Sequence, residues 1–397
     1  MRDQGMKDRS AGVPARLSCA VAPTYWLVAL GDTARQRYRV RKTGRDARAP
    51  SLHAVGLQSP PHLCCDFAMT CLVTGAAGFV GLALVRRLLA DGERVRALVL
   101  PDDQRLPELR ALGVDVVEGD VTDAAAIAPH FAGVERVFHV AALVHGLHLW
   151  TRYRAVNVGG TENVARAAHA AGVRRLVHVS TSDVFGIPHD GALMDETGPY
   201  RTWNEPYPDT KIEAERWLWQ FHRASGLPVS VIYPCWVYGP GDEALFPGFA
   251  QAIRDGMLIF WQRDTRLAWV HVANLADAIV LASREPAAVG QGYLVHDDAD
   301  GPTLEELCGR LATTVGRPFR PRYVPYGAAL AGAALLQGVW RGLRLKGAPP
   351  LLTNDVKSFG HRFRFSNAKL RALGWTPRIG IDEGMQQAHA WFAARNA

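Results

Sequence analysis

Seven residues, Gly75-Ala76-Ala77-Gly78-Phe79-Val80-Gly81, constrain this chain more than any other stretch. Leu72-Val73-Thr74 before them reads as the end of a buried strand. Leu82 to Ala90 after them carries apolar residues at helical spacing until Asp91-Gly92 closes the run. Strand, glycine turn and helix in that order make a phosphate-binding unit. The glycines let the backbone turn tightly and approach a pyrophosphate, whose charge meets the free N–H groups and the positive end of the helix. A bare glycine triplet says little; placed between a strand and a helix, it points to a dinucleotide.

Five further strand-like runs follow, separated by helical patterns: 94–100, 114–118, 136–141, 176–180 and 229–233. Such alternation predicts an α/β fold, a Rossmann-type doubly wound parallel sheet covered on both faces, with ligands at the carboxyl ends of its strands. The expected division is a dinucleotide-binding domain over 69–240 and a smaller C-terminal α/β substrate lobe over 241–397, partly interleaved with the first. Gly75, Gly78, Phe79, Val80 and Gly81 form the phosphate loop. Asp120, just past the third strand, is placed to hydrogen-bond an adenine amino group, and Ala141 and Ala142 after the fourth allow a close backbone approach. At the tip of the second strand, Leu100-Pro101-Asp102-Asp103-Gln104-Arg105 carries both signs of charge. The expectation is NAD, with NADP the alternative.

Tyr207-Pro208-Asp209-Thr210-Lys211 opens a long amphipathic helix, with Pro208 suited to the first turn. Residues four apart share a helical face, so a phenol and an ammonium project to the same place. A free tyrosine titrates near ~10, so proton transfer at neutral pH needs cationic neighbours. By itself Y-x-x-x-K is common. Its company is not: Val177-His178-Val179-Ser180-Thr181-Ser182-Asp183-Val184-Phe185-Gly186 is a strand ending in three hydroxyls, upstream of the tyrosine.

Together with Asn157-Val158-Gly159-Gly160-Thr161 and Pro234-Cys235-Trp236-Val237-Tyr238-Gly239-Pro240-Gly241, these motifs make residues 69–395 resemble the extended short-chain dehydrogenase/reductase family, within the NAD-dependent epimerase/dehydratase superfamily. The resemblance implies an NAD(P)-dependent oxidoreductase moving a hydride between a nicotinamide and a secondary alcohol or ketone. Tyr207 would be the general acid/base, Lys211 the ribose ligand that also tunes the phenol, and Thr181 the hydroxyl that orients the substrate oxygen. The same pattern puts Val121, Asn157, Lys211 and Pro234 at the cofactor. Two positions depart from it: Tyr233 stands where many relatives carry arginine, and Leu100 where many NADP-using relatives do.

Trp269, Asn274, the Gly292–Asp297 stretch, Pro349–Thr353 and the Phe365–Pro377 ending look more like the 3β-hydroxysteroid dehydrogenase and C4-sterol dehydrogenase branch than like the nucleotide-sugar enzymes. Phe246, Phe249, Phe260, Trp261, Trp269 and Trp340 would suit a large apolar ligand, although core packing accounts for any one of them. His145 and His148 read as loop residues. The alternatives are a nucleotide-sugar epimerase or dehydratase on the same scaffold, and a non-catalytic sensor of the nicotinamide ratio; an intact proton relay argues against the sensor.

Charge bears on partners. The net charge is +7, but residues 1–68 hold eleven Lys/Arg against five acids, so the rest carries about +1 and no global field for nucleic acid. That leader lacks periodicity and is expected to lie outside the fold, as a disordered tail or the product of a start codon taken too far upstream. A secretory signal at Ala20–Leu30 is the rival reading. The six cysteines show neither a C-x-x-C pair nor a metal-ligand spacing, so no metal and a cytoplasmic setting are expected. The apolar run Gly327 to Val339 is too short to span a bilayer and is compatible with peripheral membrane contact. The partners expected are a small-molecule substrate and a second copy, through the helices at 153–171 and 207–225.

Overall fold

The computed structural model describes residues 70–187, 191–297, 301–345 and 349–396; the leader lies outside them. Seven strands make one fully parallel sheet: β1 (Thr70–Thr74), β2 (Arg94–Val99), β3 (Asp115–Glu118), β4 (Arg136–His139), β5 (Arg175–Val179), β6 (Val229–Pro234) and β7 (Gln291–Val295). Their order is β7-β6-β5-β4-β1-β2-β3. Every residue of β4, β5 and β6 is buried, Arg136, His139, Arg175, His178 and Ser230 among them, so these strands show no alternation of buried and exposed positions. β7 is not among the runs recognised in the sequence, and it comes from within 241–397, the stretch assigned to the substrate lobe.

Helices α1 (Phe79–Ala90), α2 (Gly160–Ala170), α3 (Pro206–Ser225), α4 (Leu245–Arg254), α5 (Val272–Arg284), α6 (Leu304–Thr314), α7 (Tyr326–Gly342), α8 (Thr353–Phe359) and α9 (Ile381–Asn396) are the main helical elements. On one face of the sheet, Leu84, Val85 and Leu88 of α1 pack with Leu275, Ile279 and Ala282 of α5. On the other, Val164, Ala165 and Ala168 of α2 meet Ile212 and Leu218 of α3. A third cluster is built mainly from α4, α6 and α9. Phe246, Phe249, Phe260 and Trp269 lie inside that cluster, each at most 4 % exposed. For these four the core-packing account holds, although Phe249 and Phe260 also border a small pocket with Trp261; Trp261 and Trp340 are half-buried.

Asn274 ties the lobe to the sheet. Fully buried in α5, its amide donates to Asp297 Oδ1 and to the Ile379 carbonyl, both at 2.8 Å, and its oxygen accepts from the Arg378 and Ile379 N–H groups at 3.0 Å. All four bonding capacities of a buried amide are used, as burial demands.

Candidate active site

The strand order reverses between β1 and β4, and the crevice that a ligand uses in such sheets opens there. Thr74 and His139, the last residues of these two strands, meet across it: Thr74 Oγ1 lies 2.8 Å from His139 Nδ1, and His139 Nε2 lies 3.0 Å from Thr161 Oγ1. Thr161 donates to the Asn157 carbonyl at 2.7 Å, so it accepts from Nε2–H; Nδ1 then accepts from Thr74, whose oxygen takes the Val140 and Ala141 N–H groups at 3.2 Å. Burial pushes the imidazole down to about 3, so it stays neutral and this tautomer persists. The chain fixes the Ala141 turn through side chains alone.

Phe79, Val80 and Gly81 belong to the first turn of α1, three residues earlier than the periodicity of Leu82–Ala90 suggested. The helix has no side-chain cap and no acid in its first turn, so its N–H groups face the strand ends without a competing carboxylate. Gly75 turns through φ +66°, and a Cβ there would sit 2.8 Å from the Ala141 Cα. The backbones of loop and β4 therefore touch, and the cradle fits a pyrophosphate. Asp120 and Val121 follow β3; Asp120 Oδ1 accepts the Thr122 N–H at 2.9 Å, and the Val121 carbonyl is held by Asn163 at 2.9 Å. Ala142 follows Ala141 past β4, and Pro234 ends β6. All of these positions stand on the carboxyl side of the sheet.

Asn157 occupies a wider, π-type turn, Arg154–Gly159, leading into α2, a distortion that concentrates at functional sites. Its amide accepts from the Leu143 N–H at 2.8 Å, donates to the Leu143 carbonyl at 3.0 Å and reaches Thr210 Oγ1 at 3.0 Å. It thus clamps the loop after β4 to the first turns of α3.

Tyr207 and Lys211 sit on α3. The Lys211 ammonium, 2 % exposed, donates to the Val179 carbonyl at 2.8 Å and to His178 Nε2 at 3.3 Å. Burial pushes it down to about 8 against the pull of Glu215 one turn on. The phenol of Tyr207 hydrogen-bonds the Thr181 hydroxyl; burial and the charge of Asp183 hold it well above the ordinary tyrosine value. Burial raises Asp183 to about 6. Behind them Glu215, buried on α3, accepts from Ser180, Tyr200, Tyr233 and Trp219. Tyr233, the departure noted above, thereby has a partner: where an arginine would meet this carboxylate as a charge, the phenol meets it as a neutral donor.

Tyr207 opens into a cleft whose wall includes Val144, His145, Leu147, His148, Glu205 and Asp355, with Gln337 and Arg341 of α7 above. His145 and His148, loop residues in the sequence reading, are brought to this wall, and Glu205 and Asp355 join them without any sequence motif having marked them. Glu205 pairs with Lys357 at 2.7 Å and accepts from Thr353 at 2.7 Å. Burial raises Asp355 to about 7, with Glu205 adding to it and its bond from the Leu352 N–H opposing. A carboxyl raised above its unfolded value near ~3.9 holds its proton better in the folded state, so folding stability falls as pH rises from about 4 to about 7. Asp355→Asn should flatten that part of the curve, measured as the melting temperature at pH 5 and at pH 8; an unchanged slope would show that this carboxyl does not titrate there.

The family model described as the NAD dependent epimerase/dehydratase family matches residues 71–295. The chain belongs to that family. Among curated relatives, the 2-alkyl-3-oxoalkanoate reductase of Stenotrophomonas maltophilia is 32% identical over 336 residues, 82% of this chain and 100% of the relative. The 3-beta-hydroxysteroid dehydrogenase of Mycolicibacterium neoaurum is 32% identical over 340 residues, 81% and 90% respectively. Among solved structures, the dTDP-glucose 4,6-dehydratase DesIV of Streptomyces venezuelae, with NAD bound, superposes with a TM-score of 0.68 at 26% identity, covering 83% of this chain and 98% of that one. This family member is an NAD(P)-dependent oxidoreductase with the Rossmann architecture. No cluster of His, Cys, Asp or Glu among the described residues could hold a metal ion.

Proposed function

We propose that the chain interconverts a ketone and a secondary alcohol on an apolar substrate, with Tyr207 passing the proton, Thr181 orienting the oxygen and Lys211 setting the charge beneath them. The observation that carries this is the meeting of the Tyr207 phenol with the Thr181 hydroxyl at the mouth of one cavity, one helical turn from a buried ammonium. Gly75, Gly78, Phe79, Val80 and Gly81 would hold the pyrophosphate, Asp120 and Val121 the adenine side, and Ala141, Ala142, Asn157, Lys211 and Pro234 the nicotinamide half. When bound, the cofactor supplies or takes the hydride.

The residues do the rest. The raised phenol keeps its proton at neutral pH and can give it to a ketone oxygen held between Tyr207 and Thr181. The Lys211 charge stabilises the phenolate left behind. The loop at 144–148 and α7 enclose the oxygen and exclude water, which strengthens both interactions. NAD is the cofactor we favour, because Arg105, the cation near the tip of β2, is engaged: it pairs with Glu243 at 2.8 Å and donates to the Ala77 carbonyl at 3.3 Å. A 2′-phosphate would have to displace those partners.

An apolar substrate fits the names of the two curated relatives and the Val144, Leu147 and Leu352 side chains on the wall. The second reading, a nucleotide-sugar epimerase or dehydratase, draws on DesIV and on Arg341 and Asn354 at the same cavity. Purified protein with 3β-hydroxysteroids, long-chain 3-oxo compounds, and UDP- and dTDP-sugars, followed by absorbance of the reduced cofactor and by product analysis, separates them. Turnover of sugars alone would reverse the ranking, and cofactor binding without turnover of anything would favour a sensor.

Free, buried Cys71, Cys235 and Cys308 support a reducing, cytoplasmic setting. A homodimer is supported by the outer faces of α2 and α3, where the Arg166 guanidinium lies over the Trp217 and Phe221 rings at 5.2 and 5.6 Å.

The proton relay also predicts a pH profile. Lys211 loses its charge as pH rises through about 8, so kcat/KM for ketone reduction should fall above that value, since this ratio reports free-enzyme groups. Lys211→Arg, which stays charged, should lack the limb. A limb at the same pH in both proteins would assign it elsewhere.

A further inference from the structure

The proposed apolar substrate must reach the cavity from somewhere, and α7 stands between that cavity and the surface. Its inward strip is narrow: Ala329, Ala333 and Gln337 are the buried residues, and Gln337 lines the cavity. From Tyr326 to Trp340 the helix contains no charged residue. Its outward face is therefore Gly, Ala, Leu and Val, with Leu335 70 % and Val339 41 % exposed, and Leu343 and Leu345 just beyond it at 68 % and 43 %. A surface helix of a water-bathed protein ordinarily carries charges on that face, and contiguous exposed apolar surface of this kind marks a contact site.

The charges have been moved to its ends. Residues 307–354 contain seven Lys/Arg and no Asp or Glu, whereas the rest of the chain beyond residue 68 is net negative. Arg317, Arg320 and Arg322 precede α7, Arg341 lies in its last turn and Arg344 follows it; all five are exposed. An apolar face rimmed by cations matches an anionic bilayer: side chains such as Leu335 and Leu343 enter the acyl boundary while guanidinium groups meet lipid phosphates. The same rim argues against other occupants. A second copy docked face to face would bring two cationic rims together, and residues 1–68, themselves net positive, would be repelled.

We propose that α7 docks flat on an anionic membrane surface, so that the helix roofing the cavity lies at the lipid boundary and apolar substrate enters without crossing water. At 17 residues, about 25 Å of helix, it lies along the surface; no helix among the described residues is long and apolar enough to cross. The proposal rests on the apolar-substrate reading for its purpose, but docking is testable without it.

The full chain would be sedimented with vesicles of phosphatidylcholine alone and of phosphatidylcholine with one third phosphatidylglycerol. Wild type should pellet with the anionic vesicles and far less with the neutral ones. A Leu335→Glu/Leu343→Glu variant, changed only at exposed positions, should lose about tenfold in bound fraction, yet reduce a small water-soluble ketone as before. Wild type that ignores anionic vesicles, or a variant that binds them equally well, overturns the proposal. So does a variant whose sedimentation coefficient without vesicles drops from dimer to monomer, which would make the face an interface between copies. Intact docking with no turnover of any ketone would instead count against the function proposed above.

Discussion

Tyr207→Phe should lower kcat for ketone reduction by about 10²–10⁴-fold, the span that positioned proton transfer contributes, while leaving cofactor affinity nearly unchanged. The phenol's bonding partner is the Thr181 hydroxyl, and its ring sits at the cavity mouth, so removing one oxygen takes away the proton without removing a wall. The measurement pairs kcat with the dissociation constant for reduced cofactor from fluorescence titration. A fall in both together would mean that the ring was reshaping the site. An unchanged kcat would remove Tyr207 from the chemistry altogether, and suspicion would pass to Asp183, whose carboxyl, raised to about 6, lies close enough to influence that phenol.

The second large effect is at Gly81. A Cβ there would stand 2.1 Å from the Gly75 carbonyl oxygen and 2.9 Å from the Ala76 Cα. Both are backbone atoms of the loop itself, so nothing flexible can yield. Gly81→Ala must push the start of α1 away from the turn, at a cost of about 1–3 kcal/mol for overpacking or more, and the N–H groups meant for a pyrophosphate move with it. Thermal stability should drop, and cofactor affinity should fall by at least about tenfold, or about 1.4 kcal/mol. Gly332→Ala is the control: nothing lies within 4 Å of its added methyl, and α7 should gain from the better helix former. Equal behaviour of the two variants would refute the steric argument.

These residues differ in how far the sequence revealed them. Gly75 and Gly81 were legible because a tight turn and a close approach each require glycine at a fixed offset from a strand. Tyr207 and Lys211 were legible through their company, since helical spacing alone makes such a pair common and only the hydroxyl-rich strand end at Ser180–Ser182 and the other family motifs singled this one out. β7 was not, since Gln291–Val295 is separated from its neighbour β6 by the α4 and α5 stretch, and a short apolar run carries no record of which edge it joins. Glu205 and Asp355 escaped for the same reason: each is an ordinary acid near a helix start, and only the folding of α8 against α3 brings them together. The aromatic residues beyond residue 240 were ambiguous because bulk and apolarity suit a core as well as a pocket, and Phe246, Phe249, Phe260 and Trp269 pack into the core.

The late arrival of β7 has an outcome for biosynthesis. Until residue 295 has left the ribosome, β6 is an unprotected border, with the N–H and C=O groups of Val229–Pro234 on that side open to any extended peptide that comes by. A gene cut at residue 240, although it holds the whole glycine loop and both Tyr207 and Lys211, should yield an insoluble product for this reason. The chain is committed to being made in one piece.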